Sequence, residues 1–271
     1  MGPLLTARLR RAVVHQARLF AVALQFFTRV PVRLRAFDPR WLNDCARYFP
    51  LVGAVVGAAG AAALLAAAAL WPAPLAVVAS MAATAWLTGG FHEDGLADTC
   101  DGLGGAVTRE RALAIMKDSR VGSYGVLGLV LTLAAKAAAT LALAAHDLPQ
   151  AALVVVLAHV VSRAMPVILL RVLPYAGDLA HARAKPLARR VDAAALIVAL
   201  ATAAAALAGG LAAGLAPRAI GAALLAALLV TAACARWFRR RLGGFTGDTL
   251  GALQQWSELA VLLGFGAGLA A

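Results

Sequence analysis

The sequence predicts an all-α polytopic membrane protein, and three observations support this fold class. The chain has 271 residues, of which 62% are hydrophobic, and its mean hydropathy is +0.82, whereas soluble domains are usually about half apolar. Several stretches of about 20 residues carry almost no charge, and a helix needs that length to cross a bilayer. The basic residues stand in short segments between these stretches. An unusually apolar soluble helical bundle would not need that arrangement.

About seven transmembrane helices are predicted, near residues 49–71, 74–91, 121–145, 150–170, 193–215, 219–236 and 249–270. Residues 19–32 are apolar but too short to span, so we expect an interfacial or re-entrant segment there. Residues 1–18 are rich in arginine and lack the apolar core and small-residue cleavage site of a signal peptide. We therefore expect a basic cytoplasmic arm at 1–18, followed by one integral membrane catalytic domain at 19–271.

The distribution of charge predicts the orientation. With seven spans, every Lys and Arg except Lys136, Arg163 and Arg218 falls on one side of the membrane. The positive-inside rule makes that side cytoplasmic, with the N-terminus inside and the C-terminus outside. The formal net charge of +12 is thus explained by topology, and we do not expect nucleic-acid binding. A positive face would attract anionic substrates and anionic lipid headgroups.

The densest polar cluster, GGFHEDGLADTCDGLGG at 89–105, follows the second predicted span. Its residues Asp94, Asp98 and Asp101 are spaced i, i+4 and i+7, so they share one face of a helix. Carboxylates this close repel each other. A divalent cation removes that repulsion, and Mg²⁺ prefers hard oxygen ligands. We therefore predict a Mg²⁺ site made by Glu93, Asp94, Asp98 and Asp101, in which Glu93 is the least regular member.

Two further clusters lie on the same predicted side. IMKDSRVGSYG at 115–125 contains Lys117 and Arg120, which are natural phosphate partners, while Asp118 could join the metal shell or orient Arg120. Asp248 lies in a glycine-rich turn after three arginines, which indicates a substrate loop. Four ionisable residues within the predicted spans should face the protein interior, and one pair among them, Lys136 and Glu258, could meet; the four are Lys136, His159, Arg163 and Glu258.

A carboxylate metal site, basic phosphate partners and a position at the membrane edge together predict phosphoryl transfer by positioned metal ions. The sequence contains no Walker A loop or GxGxxG element that would indicate ATP hydrolysis. A transporter or channel is the main alternative, but coupling sites usually lie near the midplane rather than in a loop. A non-catalytic membrane scaffold would give no reason for the spacing of the aspartates.

Five motif segments follow one another along the chain, namely FFTRVPV (26–32), RYFPLVG (47–53), GGFHEDGLADTCDG (89–102), MKDSRVGSYG (116–125) and LGGFTGDTLGA (242–252). These segments and their order resemble the cobalamin synthase family, whose enzymes are also known as adenosylcobinamide-GDP ribazoletransferases. The resemblance implies a Mg²⁺-dependent enzyme of the bacterial inner membrane with a cytoplasmic active site. It would join adenosylcobinamide-GDP to α-ribazole or α-ribazole 5′-phosphate, giving adenosylcobalamin or its 5′-phosphate and GMP. A homo-oligomer, or association with other enzymes of the pathway, is compatible with the sequence.

The resemblance also implies roles for individual residues at the motif positions. The catalytic candidates are Asp98, Asp101, Lys117 and Arg120. The candidates for substrate binding are Arg47, His92, Gly95, Asp118, Ser119, Gly122, Thr246 and Asp248. Asp98 or Asp101 would accept the proton of the attacking ribose hydroxyl.

Overall fold

The computed structural model describes residues 2–34, 38–177 and 188–270, and within them the side chains of residues 8–268. Its helices are α1 (Gly2–Phe27), α2 (Trp41–Asp44), a short 3₁₀ helix (Cys45–Tyr48), α3 (Phe49–Ala68), α4 (Ala73–Thr88), α5 (Phe91–Gly104), α6 (Arg109–Met116), α7 (Ser123–His146), α8 (Leu148–Val172), α9 (Ala193–Ala212), α10 (Pro217–Leu242) and α11 (Gly247–Ala270). The described ranges contain one isolated β-bridge and no strand. The predicted all-α class is confirmed.

Five helical stretches are long and apolar enough to cross a membrane, namely Trp41–Ala68, α7, α8, α9 and α10. Helices α4 and α5 pass this test only together, and they are bent by 89° at the break between them. The described part of the chain therefore contains five candidate spans, or up to six. The protein is polytopic as predicted, but the count of seven is not confirmed, because α11 carries Gln254, Gln255 and Glu258 in its middle and is not among the candidates.

The bend between α4 and α5 depends on two consecutive glycines. Gly89 and Gly90 both have a φ of 70°, a left-handed conformation that costs glycine little because it has no side chain. The Gly90 N–H donates to the carbonyl of Ala85, which closes the end of α4. As a result α5, with the acidic cluster, leaves the direction of α4 at nearly a right angle.

Helix α1 changes the expectation for the N-terminal region. It is continuous from Gly2 to Phe27, so the expected basic arm and the start of the apolar segment form one helix, and the segment does not turn back within it. The reason lies in the sequence, which has no glycine or proline between residues 4 and 27. Leu19, Val22, Ala23 and Phe27 are buried at helical spacing, so α1 packs one face on the bundle.

Helix α8 forms the centre of the bundle, and most of its residues are buried. Helix α3 approaches it closely because Gly53, Gly57 and Gly60 lie on the face that meets α8 or α4. A Cβ atom at Gly57 would stand 2.7 Å from the Cα atom of Val156, too close for any larger residue. Small residues permit this kind of close helix packing in membranes.

Four basic segments lie between the predicted spans, up to residue 47 and at 92–120, 171–192 and 236–248. They were predicted to share one side, and they meet in the structure. Arg109 donates to the carbonyls of Leu242 at 2.7 Å and Ala176 at 3.1 Å. The N–H of Arg189 donates to the Asn43 side chain at 2.9 Å. Parts of the third segment, residues 178–187, lie outside the described residues. These contacts bring the four basic segments together in one region of the molecule.

Candidate active site

A cavity of about 660 Å³ opens where these segments meet. Its walls come from the end of α1, from α5, α8 and α11, and from the loops after α6, α8 and α10. The volume lies within the range of about 300–1,000 Å³ that is common for sites binding small molecules and cofactors. Four carboxylates reach its lining, and they are Asp94, Asp98, Asp118 and Asp248.

Three of these carboxylates form an acidic side of the cavity. Asp94 and Asp98 lie one turn apart on α5, as the spacing predicted, and Asp248 lies in the first turn of α11. Burial, followed by the negative charges of Asp248, Asp94 and Asp101, raises the pKa of Asp98 to about 7. The free site therefore resists full ionisation near neutral pH, and a bound cation would relieve the repulsion.

Asp101, the third member of the predicted face, binds backbone N–H groups instead of facing the cavity. Its two carboxylate oxygens accept hydrogen bonds from the backbone N–H groups of Gly122 at 2.7 Å and Gly125 at 2.8 Å. Asp101 thereby satisfies two free N–H groups at the start of α7, and neither it nor Gly122 lines the cavity. Their predicted roles at the metal and the substrate stay predictions, and the structure does not bring them to the cavity wall.

Glu93 lies on another side of α5. Its Oε1 atom accepts a hydrogen bond from Gln255 at 3.1 Å, and its Oε2 atom is buried without a partner in the described part of the chain. It does not line the cavity, whereas its neighbour His92 does. The His92 ring is buried and stacks on Phe27 with the ring centres 5.4 Å apart. Glu93 is thus separated from the other predicted metal ligands.

The segment Lys117–Ser119 brings three predicted residues to the cavity. Arg120 is outside the lining, and its side chain is 87% exposed. It forms a 2.6 Å ion pair with Asp118, and the hydrogen bonds from Arg120 lower the pKa of Asp118 to about 2. Of the two roles predicted for Asp118, orientation of Arg120 is the one that the structure shows.

The glycine-rich loop before α11 is held by a reciprocal turn. The N–H of Thr246 donates to Oγ1 of Thr249, and the N–H of Thr249 donates to Oγ1 of Thr246. This turn starts α11 and holds Asp248 at the cavity, where Thr246 also lies. Arg47 is elsewhere, since its Nε atom donates to the carbonyl of Asp44 and it does not line the cavity.

Gly95 lies at a close approach of α5 and α11. A Cβ atom there would stand 2.9 Å from the Asp248 carbonyl oxygen. Gly95 also lines the cavity, as expected for a residue of the substrate site. Its absence of a side chain allows Asp94 and Asp98 to face Asp248.

Sequence reasoning missed most of the apolar wall. Six aromatic side chains line the same cavity as the carboxylates, and they are Phe26, Phe27, Phe49, Phe91, Tyr175 and Phe245. The motif FFTRVPV contains two of them in a segment too short to span, and that was the available signal. The wall offers a broad apolar surface to a large ligand.

A buried polar network lies deeper in the bundle. Lys136 of α7 forms a 2.6 Å ion pair with Glu258 of α11, which confirms that these two residues meet. The second Glu258 oxygen lies 3.2 Å from Nδ1 of His159 and accepts a hydrogen bond from Gln254 at 2.7 Å. Gln254 and Arg163 extend this network to the cavity, since both line it.

Comparison with known proteins decides the family. The family model described as Cobalamin-5-phosphate synthase matches residues 19–266. The chain belongs to this family. A relative from Leptothrix cholodnii, named adenosylcobinamide-GDP ribazoletransferase, is 58% identical over 95% of this chain and 98% of its own. Relatives of the same name from Albidiferax ferrireducens and Shewanella amazonensis are 43% and 44% identical over 93% and 92% of this chain, and 98% and 94% of their own. No solved structure matches.

As a member of the cobalamin-5-phosphate synthase family, this chain is a transferase of cobalamin synthesis. In the described residues, no group of three His, Cys, Asp or Glu side chains is arranged to hold a metal ion by itself. That finding is compatible with Mg²⁺, which is often held by one or two carboxylates together with substrate phosphates. The donor chemistry of Asp94, Asp98 and Asp248 fits such a shared site.

Proposed function

We propose that this protein transfers the cobinamide phosphate group of adenosylcobinamide-GDP to α-ribazole or α-ribazole 5′-phosphate, with Mg²⁺, and releases GMP. The observation that carries the proposal is one cavity with two chemically different sides. Asp94, Asp98, Asp248 and Lys117 provide charged groups suited to a metal-bound diphosphate. The aromatic wall provides an apolar surface for the large corrinoid part of the donor.

The reaction breaks the phosphoanhydride bond of the donor and forms a phosphate ester bond to the acceptor. The ribose hydroxyl oxygen of the acceptor attacks the phosphorus atom that bears the cobinamide, and the bond from that phosphorus to the GMP oxygen breaks. The electron pair of the broken bond leaves with GMP. Mg²⁺ held by the carboxylates and the diphosphate would neutralise the negative charge that develops on the phosphate oxygens.

The residues of this chain perform the remaining tasks. Asp98 is the better candidate for the proton acceptor, because it faces the cavity while both Asp101 oxygens already accept backbone hydrogen bonds. A carboxylate that faces the reacting hydroxyl can take its proton as a general base. Asp94 and Asp248 would hold the metal, and Lys117 would bind a phosphate oxygen as a point charge.

We place the cavity at the cytoplasmic face of the bacterial inner membrane. The basic segments that surround it support this orientation through the positive-inside rule. The charged donor and acceptor would then reach the site from the cytoplasm, where the positive face attracts them.

The proposal is tested by a GMP-release assay on the purified protein in detergent. Adenosylcobinamide-GDP would be supplied with α-ribazole in one arm and α-ribazole 5′-phosphate in the other, with Mg²⁺ or with EDTA. We expect GMP and a cobalamin product in equal amounts, in the presence of Mg²⁺ and at least one acceptor. A protein that binds the donor yet forms no GMP with either acceptor would contradict the proposed function.

A further inference from the structure

Arg163 is the most unusual charged residue in the bundle. It lies on the central helix α8, its exposed fraction is 2%, and it lines the cavity. One of its terminal nitrogens lies 2.9 Å from Nδ1 of His159 and donates to the His159 carbonyl at 3.2 Å. Its Nε atom is buried and has no hydrogen-bond partner among the described residues. A strong donor at the cavity is therefore left without an acceptor.

The positive charge of Arg163 is not directly paired. Glu258 and Glu93 lie near enough for their charges to act on it, but no carboxylate of the described residues forms an ion pair with its guanidinium. Glu258 is engaged by Lys136 at 2.6 Å and by His159 at 3.2 Å. A charge within a membrane protein is costly unless an opposite charge or a polar ligand meets it. The neighbouring polar network therefore accounts fully for the burial of the Lys136 charge, but only in part for the burial of the Arg163 charge.

We infer that Arg163 is an anion-binding residue at the inner end of the cavity, and that its guanidinium takes an oxygen of a substrate phosphate. The inference rests on the proposed function, which supplies phosphate groups to this cavity. Arginine suits the task because its planar guanidinium can donate two parallel hydrogen bonds to one phosphate. Gln254, which also lines the cavity, donates to Ser162 at 2.9 Å and to Glu258 at 2.7 Å, so its amide N–H groups are already engaged.

The phosphate that bears the cobinamide is the reacting group beside the proposed metal site, which leaves two other phosphates that could supply this oxygen. One belongs to the GMP half of the donor, and the other is the 5′-phosphate of the phosphorylated acceptor. Lys117 and the carboxylates approach the cavity from the loop after α6 and from α5 and α11, whereas Arg163 approaches from α8. The chain thus offers cationic groups to the substrate from two different directions.

The test compares two buried cations that differ in their pairing. Lys136 has a direct carboxylate partner and Arg163 has none, so Lys136→Met and Arg163→Met form a matched pair. Lys136→Met should lower the Tm of the ligand-free protein, because Glu258 loses its closest counter-charge. Arg163→Met should leave that Tm close to the wild-type value or lower it less. A larger loss of Tm for Arg163→Met than for Lys136→Met would overturn the inference in favour of a structural role.

Binding is measured separately from turnover. The probes are GMP, α-ribazole 5′-phosphate and the uncharged α-ribazole, each titrated into the purified protein with Mg²⁺ present. Arg163→Met and the more polar Arg163→Gln should bind one of the two phosphates at least about tenfold more weakly, which corresponds to the loss of one charge-assisted hydrogen bond. Binding of α-ribazole should not change. The phosphate that is affected identifies the source of the oxygen.

Two outcomes separate this inference from the proposed function. If both Arg163 variants bind GMP and α-ribazole 5′-phosphate as tightly as the wild type does, while the wild type releases GMP, the inference is wrong and the proposed function stands. If the wild-type protein releases no GMP from adenosylcobinamide-GDP, the proposed function fails first. Arg163→Lys gives a further check, because it keeps the charge and loses the second hydrogen bond, and it should bind with intermediate affinity.

Discussion

Replacement of Gly95 by Ala tests whether the close contact of α5 and α11 assembles the acidic side of the cavity. The added Cβ atom would stand 2.9 Å from the carbonyl oxygen of Asp248 and 3.1 Å from its Cα atom. Both atoms belong to the backbone, so no side chain can rotate away. Ordinary contacts of this kind begin near 3.4 Å, and α5 must therefore move from α11 by about half an ångström.

Two energies set the expected size of the effect. Overpacking of this kind usually costs about 1–3 kcal/mol, and the better helix propensity of alanine returns about 1 kcal/mol. The net loss of stability should therefore be small. Activity should suffer more, since a misplacement of about 1 Å can cost about 100-fold in rate. For half that displacement we expect GMP release to fall roughly tenfold with a modest loss of Tm.

A matched control is available on α10. A Cβ atom at Gly221 meets nothing within 4 Å, so Gly221→Ala gains the same helix propensity without a clash and should keep its activity. Both variants would be assayed for GMP release and for thermal unfolding in the same detergent. Wild-type activity in Gly95→Ala would refute the argument that this contact positions Asp94 and Asp98 against Asp248.

Three further predictions follow from the structure. Asp118→Asn should lower kcat/KM several-fold in the GMP assay. Asp38→Asn breaks an equivalent exposed ion pair with an arginine two residues later in the sequence, and it should leave kcat/KM unchanged. Equal effects of the two substitutions would contradict a role for Asp118 at the cavity. Lys136→Met should lower the free energy of unfolding by about 3 kcal/mol, and adding Glu258→Gln should recover part of this loss in thermal unfolding; additive losses would show that the pair is not coupled. Asp98 lies beside the proposed metal ligands, and its raised pKa of about 7 leaves it protonated at lower pH. Loss of that negative charge should weaken Mg²⁺ binding, so the half-saturating Mg²⁺ concentration should rise from pH 8 to pH 6. A constant value would contradict the position of Asp98 beside the metal.

Local spacing predicted the parts of the site that depend on a single helix. Asp94 and Asp98 share a face of α5 because four residues make about one helical turn. The Lys136–Glu258 pair was also within reach, because ionisable residues inside apolar segments have few places to go. Composition and charge likewise sufficed for the polytopic all-α class.

Contacts between distant segments could not be predicted in this way. Asp101 has the right spacing for the metal face, but the start of α7 takes both of its oxygens. Glu93 is directed toward Gln255, which is 162 positions later in the sequence. The special position of Arg163 could not be predicted from the sequence. Only the packing of α8 against the cavity shows that this buried arginine has an unpartnered donor.

The count of seven spans is not confirmed for a related reason. Apolar windows do not show whether a helix also carries an interior polar network. Helix α11 carries such a network in its middle, where Gln255 and Glu258 bond to Lys136. The 89° bend after α4 depends on two consecutive glycines. A hydropathy pattern does not show that these glycines change the direction of the helix.

The most direct test of the central claim is GMP release by Asp94→Asn and Asp98→Asn, each measured beside the wild type and Asp38→Asn. Both site variants remove a charge from a crowded acidic surface, so the protein should remain folded in the membrane with no loss of Tm. We expect that neither releases GMP at any Mg²⁺ concentration, while Asp38→Asn releases it at the wild-type rate. Full activity in either site variant would contradict the claim that these carboxylates act on the substrate phosphates.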